Sequence, residues 1–525
     1  MVSKPGGAVS DHRVLERPAT LAAWQRRWTL IASCLGVGLV MASMAALYTA
    51  LPQIAAATGA TQGQLTWMVD GYTLVLAALL LPAGALGDRY GRRGMLITGL
   101  AVFCAGSVLA LTVHDPMWVI VARMISGVGA ALVMPSTLSI LTGVFPPQHW
   151  GRAVGIWAAV AGSGGVIGLV GSGVLLRYWS WPSIFVVLAA VAAVLAVAAI
   201  AMPASREPDH PRIDLLGSAT SAAAIGLLVY GLTEAPEYGW RAPLTIALLA
   251  GAVVAGALFV VVELRTPRPL LPVRLFAHRA FSTGVTSLML QFVVTFGLAL
   301  IMVQYLQLVL GYSPLRSTLA VAPMAGPLLP LAVIAPMLMR WVGLRWMTVA
   351  GLATMSGGLF LLTRLHPDTH YSAIVLPLAL AGAGIGLCAT PATAVIIGTT
   401  PTAKHGVAAA VNDAAREIGA AIGIAMSGGI LAAGYHHHIQ PALAGLPDQI
   451  RGPVGDSLAG ALTVAAQAGP TTHPLTDAAV DAFMHGIHQA VLALAIVAAA
   501  GAAVTLAAPD TRHVDRLDDP EPSAD

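Results

Sequence analysis

Gly84-Ala85-Leu86-Gly87-Asp88-Arg89-Tyr90-Gly91-Arg92-Arg93-Gly94-Met95-Leu96 is a tight, basic, glycine-rich turn between two long apolar segments. The segment before it covers 65–86 and the one after it 95–113. Each is long enough to cross a bilayer as a helix, for which ~20 apolar residues suffice. The chain therefore reverses direction within a few residues, with Arg89, Arg92 and Arg93 at the turn. Arginines beside a membrane helix mark the cytoplasmic side. This turn sets a local topology from which the other segments are counted.

Outward from the turn the same pattern repeats. The 525 residues are 57% hydrophobic and 10% charged, where a soluble domain carries about 25% charge. A chain this apolar cannot cover a soluble surface, so it reads as a polytopic, all-α membrane protein. Fourteen spans are expected, over 28–51, 65–86, 95–113, 117–140, 152–176, 182–202, 215–233, 242–262, 280–303, 315–338, 345–363, 371–396, 404–433 and 487–508. An even number puts both termini on one side. With the N-terminus inside, inner segments hold 20 of the 27 Lys and Arg. Outer segments hold only Arg177, Arg241, Arg316, Arg364 and Arg451, while Arg123 and Arg416 lie within spans. That bias places both termini in the cytoplasm.

The net charge of +3 gives no sign of nucleic-acid binding. Cys34, Cys104 and Cys388 fall in apolar segments without metal-ligand or disulfide spacing, and read as small buried side chains. The N-terminal arm shows no cleavable signal pattern. The link from Gly434 to His485 is expected outside the membrane, with a short helix over Asp456 to Ala468. Its triplet His436, His437 and His438 reads as solvated loop, because three consecutive side chains do not converge on a metal. No metal or cofactor is expected. The tail after Pro509 is charged and reads as disordered.

Three stretches carry a resemblance: "WMVDGYTLVLAALLLPAGALGDR" (Trp67 to Arg89), "ARMISGVGAALVMPSTLSI" (Ala122 to Ile140) and "GVAAAVNDAAREIGAAIG" (Gly406 to Gly423). With the turn at Gly84 to Arg93, in order and at matching depth, the chain resembles the major facilitator superfamily. Within it, the chain looks like the fourteen-span drug:proton antiporters that export antiseptics, dyes and antibiotics. The resemblance implies two six-helix bundles that rock about a central path. These would be 28–202 and 280–508, the second including the external link 434–485. An inserted region, 203–279, carries spans seven and eight, and 1–27 and 509–525 form a cytoplasmic arm and tail. It implies a cell-membrane exporter, not an enzyme, that acts as a monomer among membrane lipids on protons and small lipophilic or cationic substrates. No phosphate-cradling Gly-rich loop with Lys-Ser/Thr is present, so ATP is not the expected energy source. A single endogenous metabolite, lipid or self-made antibiotic as cargo is an open alternative, as is a receptor or scaffold that transports nothing.

Intramembrane charges point to the same chemistry. Asp70 in span two and Arg123 in span four lie at similar depth, a few residues from the outer side. Such groups are costly in a bilayer and face a cavity or a partner. Asp70 is expected to take a proton or attract a cation, with Arg123 biasing its charge; a permanent ion pair between spans two and four is the structural alternative. The resemblance supports the first, since the group carries an aspartate at the Asp70 position. In span thirteen, Asp413 and Glu417 are four apart and share a helix face beside Arg416. They form a second acidic site or a self-satisfied triad. Ser43 and Tyr48 stand where the family usually has an aspartate and an asparagine.

The glycines of span five, Gly162, Gly164, Gly165, Gly168, Gly171 and Gly173, allow close helix packing and resemble the family's antiporter motif. In the turn, Gly84 and Gly91 permit the reversal, and Asp88, Arg89, Arg92 and Arg93 match charges that in relatives latch the cytoplasmic ends. Trp67, Tyr72, Trp157, Gln291, Tyr305 and Gln307 are candidates for the substrate path or for ordinary packing.

Overall fold

The computed structural model describes residues 22–113, 115–203, 214–267, 269–400, 405–444, 446–468 and 473–506. The expected cytoplasmic arm up to residue 21 and the tail from 507 lie outside the described residues, as does the side chain of Asp88.

Every regular element among the described residues is a helix. The first half comprises α1 (Ala23–Ala46), α2 (Leu51–Thr58), α3 (Gln62–Tyr90), α4 (Arg92–Thr112), α5 (Pro116–Val144), α6 (Pro147–Tyr178) and α7 (Pro182–Ile200). A hairpin of α8 (Leu215–Tyr238) and α9 (Pro243–Arg265) follows. The second half comprises α10 (Arg279–Gln304), α11 (Pro314–Ala320), α12 (Ala325–Leu362), α13 (Tyr371–Gly398), α14 (His405–Leu443), α15 (Asp448–Asp456), α16 (Leu458–Ala468) and α17 (His473–Leu506). Among the described residues, eleven helices are long and apolar enough to cross a membrane. The stretches expected as spans five, ten and eleven are helical too, in α6 and across α11 and α12.

Local chemistry sets the helix ends. Thr61 caps α3: its hydroxyl accepts from the Gln64 N–H at 3.1 Å, and the Gln64 side chain accepts from the Thr61 N–H at 3.0 Å. Asp115 caps α5 by accepting from Met117 N–H at 2.8 Å, with Pro116 in the first turn. Gly91 ends α3 at φ 106°, a conformation open to a residue without Cβ. Gly343, at φ 81° and ψ 160°, breaks α12 between the two expected spans.

The link expected outside the membrane differs from expectation. Gly434 does not end a helix, and α14 runs through His436, His437 and His438 to Leu443. The reason is packing: a Cβ on Gly434 would stand 2.6 Å from the Gly486 Cα of α17. The glycine serves helix contact and not a turn. The helix expected from Asp456 is present as α16, and α15 precedes it.

The two halves pack alike. In the first, α1 lies on α6, α4 on α5 and α4 on α7; in the second, α10 lies on α14, α12 on α13 and α12 on α17. The same small-residue contacts recur at the same places. Gly164 and Gly168 of α6 press on α1 at Met41 and Ala42, and Gly419 and Gly423 of α14 press on α10 at Met289 and Val293. Gly99 and Gly129 bring α4 onto α5, as Gly351 and Gly384 bring α12 onto α13. Lipid supplies no hydrophobic drive between helices, so such close backbone contact is what holds them together. Each half therefore reads as one copy of a repeated bundle.

Between the halves, contacts gather at the end where α1 stops and α3 starts. Gln62 Nε2 donates to Gln304 Oε1 at 3.0 Å, and Gln307 Nε2 donates to the Thr49 carbonyl at 3.1 Å. Thr318 Oγ1 donates to the Leu169 carbonyl at 3.3 Å, and Gly428 of α14 sits against Thr66 of α3. At the opposite end, Arg92 donates to the Ser139 carbonyl at 3.0 Å and Arg93 to the Met202 carbonyl at 2.9 Å. Those two bonds tie the glycine-rich turn to the ends of α5 and α7, within the first half.

A leucine at Gly168 or Gly423 would overlap backbone atoms of the facing helix and should lower stability by about 1–3 kcal/mol or more. Gly171 has open space around it, so a leucine there should be neutral. Thermal unfolding of the purified protein in detergent, compared across the three variants, checks this.

Candidate functional site

Helix α3 presents two faces with different work. Residues two apart on a helix point about 200° from one another. Met68 and Tyr72 therefore share one face, while Trp67, Asp70 and Leu74 share the other.

The first face holds Arg123. This guanidinium is only 1% exposed. Its Nε donates to the Met68 carbonyl at 3.1 Å, Nη1 to Ser43 Oγ at 2.9 Å and Nη2 to the Ser43 carbonyl at 3.3 Å. It lies 4.2 Å over the Tyr72 ring, and Tyr72 Oη donates to the Val40 carbonyl at 3.0 Å. One side chain thus fastens α1, α3 and α5 together. Neither the charge biasing nor the ion pair expected with Asp70 is seen as a direct contact: among the described residues no salt bridge joins Arg123 to Asp70. The helical offset accounts for this, because Arg123 reaches α3 on the face that Asp70 leaves. Ser43, standing where the family usually has an aspartate, takes the guanidinium instead.

The second face holds Asp70, which is fully buried. Thr233 Oγ1 of α8 donates to Asp70 Oδ2 at 3.2 Å, and Oδ1 has no hydrogen-bond partner among the described residues. One turn away, Trp67 Nε1 donates to Glu234 Oε1 of α8 at 2.8 Å, with its ring 5.5 Å from Tyr230. Leu74 joins Val229 of α8 and Ala421 and Ala425 of α14 in one apolar cluster. Helix α8 therefore lies along the seam where α3 of one half meets α14 of the other.

Across the seam, α14 carries the second acidic group. Asp413, Glu417, Ala421 and Ala425 follow at intervals of four, so the acids and the α8 contact lie on one stripe. Arg416 Nη1 is 3.8 Å from Asp413 Oδ1, and its guanidinium lies 4.9 Å from the Phe292 ring. Asn412 holds Asp413 from one side at 3.5 Å and accepts from Thr393 at 3.0 Å on the other. Glu417 is 2% exposed, and its Oε2 has no hydrogen-bond partner among the described residues. Gln291 of α10 is likewise buried with an unpartnered Oε1. Phe292 and Phe296 stack at 5.6 Å beside this stripe.

The remaining candidates separate by their bonds. Trp157 Nε1 donates to Thr137 Oγ1 at 3.1 Å and Tyr305 Oη to the His366 carbonyl at 3.0 Å, both inside their own halves. Gln307 bridges the halves. Thr233 and Glu234 were not among the residues singled out from sequence. Glu234 falls one residue past the expected end of span seven, where it reads as loop. The spacing of Trp67, Asp70 and Leu74 carried a signal for a facing helix.

A bilayer-length helical repeat with buried acids on its seam invites comparison with known proteins. The family description "Major Facilitator Superfamily" matches residues 33–424. The chain belongs to that superfamily. It is a multi-pass membrane transporter and not an enzyme. It is 33% identical over 499 residues to the multidrug efflux pump LfrA of Mycolicibacterium smegmatis, covering 93% of this chain and 98% of that protein. It is 32% identical over 430 residues to the multidrug resistance protein Stp of Mycobacterium tuberculosis, covering 81% and 79%. The fold is also that of a bacterial homolog of the human lysosomal transporter Spinster, solved inward-facing and unoccupied. The TM-score is 0.62 at 16% identity, over 92% of this chain and 98% of that one.

Replacing Arg123 with Lys should fail to restore what Arg123→Ala removes, because an ammonium cannot form the three-way fork. Both variants should lose at least ~2 kcal/mol of stability, read as a lower unfolding temperature in detergent. Wild-type stability in Arg123→Lys would contradict this.

Proposed function

We propose that this chain exports lipophilic or cationic drugs from the cell in exchange for protons, by alternating access. The observation that carries the reading is Asp70: a fully buried carboxyl group on the seam between the halves, with one oxygen unpartnered. A carboxylate in that place is costly unless its charge is used. The names of the relatives, an efflux pump and a resistance protein, agree with export.

In this reading the chain has fourteen spans, with α8 and α9 as the inserted pair and both termini in the cytoplasm. The end that carries α2 is then the outer face. Gln62, Gln304, Gln307, Thr318 and Gly428 close it, so the protein stands inward-facing. Asp70 binds a proton when the outer face is open and yields it when substrate arrives from the inside. Asp413 and Glu417, tempered by Arg416, form a second acidic site for substrate or proton. Trp67, Gln291, Phe292 and Phe296 line the path, where aromatic faces attract a cation. Arg123 and Tyr72 hold the frame that presents Asp70. Arg89, Arg92 and Arg93, with Asp88, form a cytoplasmic latch when the inner face closes. The transporter works as a monomer among membrane lipids.

Proteoliposomes test this with a panel of lipophilic cations and neutral drugs, recording proton movement driven by substrate. Wild type should show it, and Asp70→Asn should reduce it at least ~10-fold, the effect of removing a required proton carrier. Asp413→Asn should weaken transport of cations while leaving proton movement with neutral drugs. Coupled transport that persists in Asp70→Asn would move the coupling to Asp413 or Glu417. No proton movement with any panel member would end the multidrug reading.

A further inference from the structure

We infer that Thr233, on the inserted helix α8, is a positioning residue for Asp70 that partners the carboxyl group in both of its protonation states. The inference rests on the assignment of Asp70 as the coupling group. Thr233 is 5% exposed, and its hydroxyl faces two acceptors at once. Asp70 Oδ2 stands at 3.2 Å, and the Val229 carbonyl, one turn back on α8, at 2.9 Å. A hydroxyl has one proton to donate and lone pairs to accept.

When Asp70 is ionised, the hydroxyl proton points at Oδ2 and supplies a charge-assisted bond. When Asp70 is protonated, its own O–H donates to Thr233 Oγ1, and the hydroxyl turns its proton to the Val229 carbonyl. The bond between Oδ2 and Thr233 Oγ1 is kept in both states while Oδ1 stays unpartnered among the described residues, and no proton is gained or lost by Thr233. Among the described residues this hydroxyl is the only hydrogen-bond partner of the Asp70 carboxyl group. A buried carboxyl group with no such partner would pay the full cost of desolvation in its charged form.

The charged and titratable groups around Asp70 do not take this role. Arg123 of α5 is occupied by Met68 and Ser43. Glu234 of α8 accepts from Trp67, and Glu417 lies across the seam on α14. Tyr72 donates to Val40, and Tyr48, which follows α1, has its hydroxyl buried without a partner. The inserted pair is therefore part of the coupling machinery and not a peripheral addition, because α8 supplies the one group that follows the proton.

Infrared titration of the reconstituted full chain tests this. The carboxylic-acid C=O band that disappears in Asp70→Asn reports the protonation of Asp70. Thr233→Val keeps the shape and removes the hydroxyl. Because a bond to a charged acceptor is stronger than one to a neutral acceptor, its loss penalises the carboxylate more, and the midpoint should rise by about one pH unit. Thr233→Ser, which keeps the hydroxyl, should retain the wild-type midpoint. The pH profile of proton movement driven by tetraphenylphosphonium should shift with the band. An unchanged midpoint in Thr233→Val, with the Asp70 band present, overturns the role of Thr233 alone. Coupled transport in Asp70→Asn overturns the coupling assignment itself. Equal unfolding temperatures for the Val and Ser variants show that the comparison is between folded proteins.

Discussion

Helices in a bilayer are not pushed together by water, so this protein depends on backbone brought against backbone at glycine. Gly164 and Gly168 of α6 against α1, Gly99 and Gly129 between α4 and α5, and their counterparts Gly419, Gly423, Gly351 and Gly384 leave no room for a side chain. Each half is interlocked along these lines. The seam between the halves is held differently. There single polar contacts, such as Gln62 to Gln304 and Gln307 to Thr49, gather where α1 stops and α3 starts, beside side-chain packing of Gly428 on Thr66 and of Leu74 on Ala421 and Ala425. Such bonds contribute about 0.6 kcal/mol each on average in a membrane. A few of them can be exchanged for others at little net cost, whereas backbone interlock cannot. The arrangement favours two rigid bodies and one mobile seam.

The charges follow that division. Arg123 belongs to the rigid part, where it joins α1, α3 and α5 through three hydrogen bonds and the Tyr72 ring. Asp70, on the opposite face of the same helix, belongs to the seam. So do Asp413 and Glu417, whose stripe on α14 leads to the contact with α8. Acids at the surface between the halves and arginine within one half is the placement that the proposed exchange of protons requires, since a change of protonation there would alter the seam without loosening a bundle.

Much of this was legible in the sequence, for physical reasons. Apolar length gave the all-helical, many-span architecture, of which eleven helices among the described residues are long and apolar enough to cross a membrane, and the turn at Gly91. The cost of a charge in an apolar span singled out the acids together with Arg123 and Arg416. Partners were harder to read. Asp70 and Arg123 share a depth but not a helix face, and depth was the quantity that the chain order supplied. The two-residue offset from Met68 to Asp70 contained the correction. Glu234 was lost because an acidic residue at the edge of an apolar run is drawn into the loop, though α8 continues to Tyr238. Gly434 read as a break because glycine serves turns and helix contacts alike, and only the facing Gly486 tells them apart.

The central claim is that the two halves are rigid and that the outer seam must open for transport. Cysteines placed at Gln62 and Gln304, in a chain whose Cys34, Cys104 and Cys388 are replaced by serine or alanine, can be bridged by a short thiol-specific cross-linker. The account predicts that bridging stops substrate export and that cleaving the bridge restores it. Export at the uncross-linked rate with the bridge intact would contradict the account.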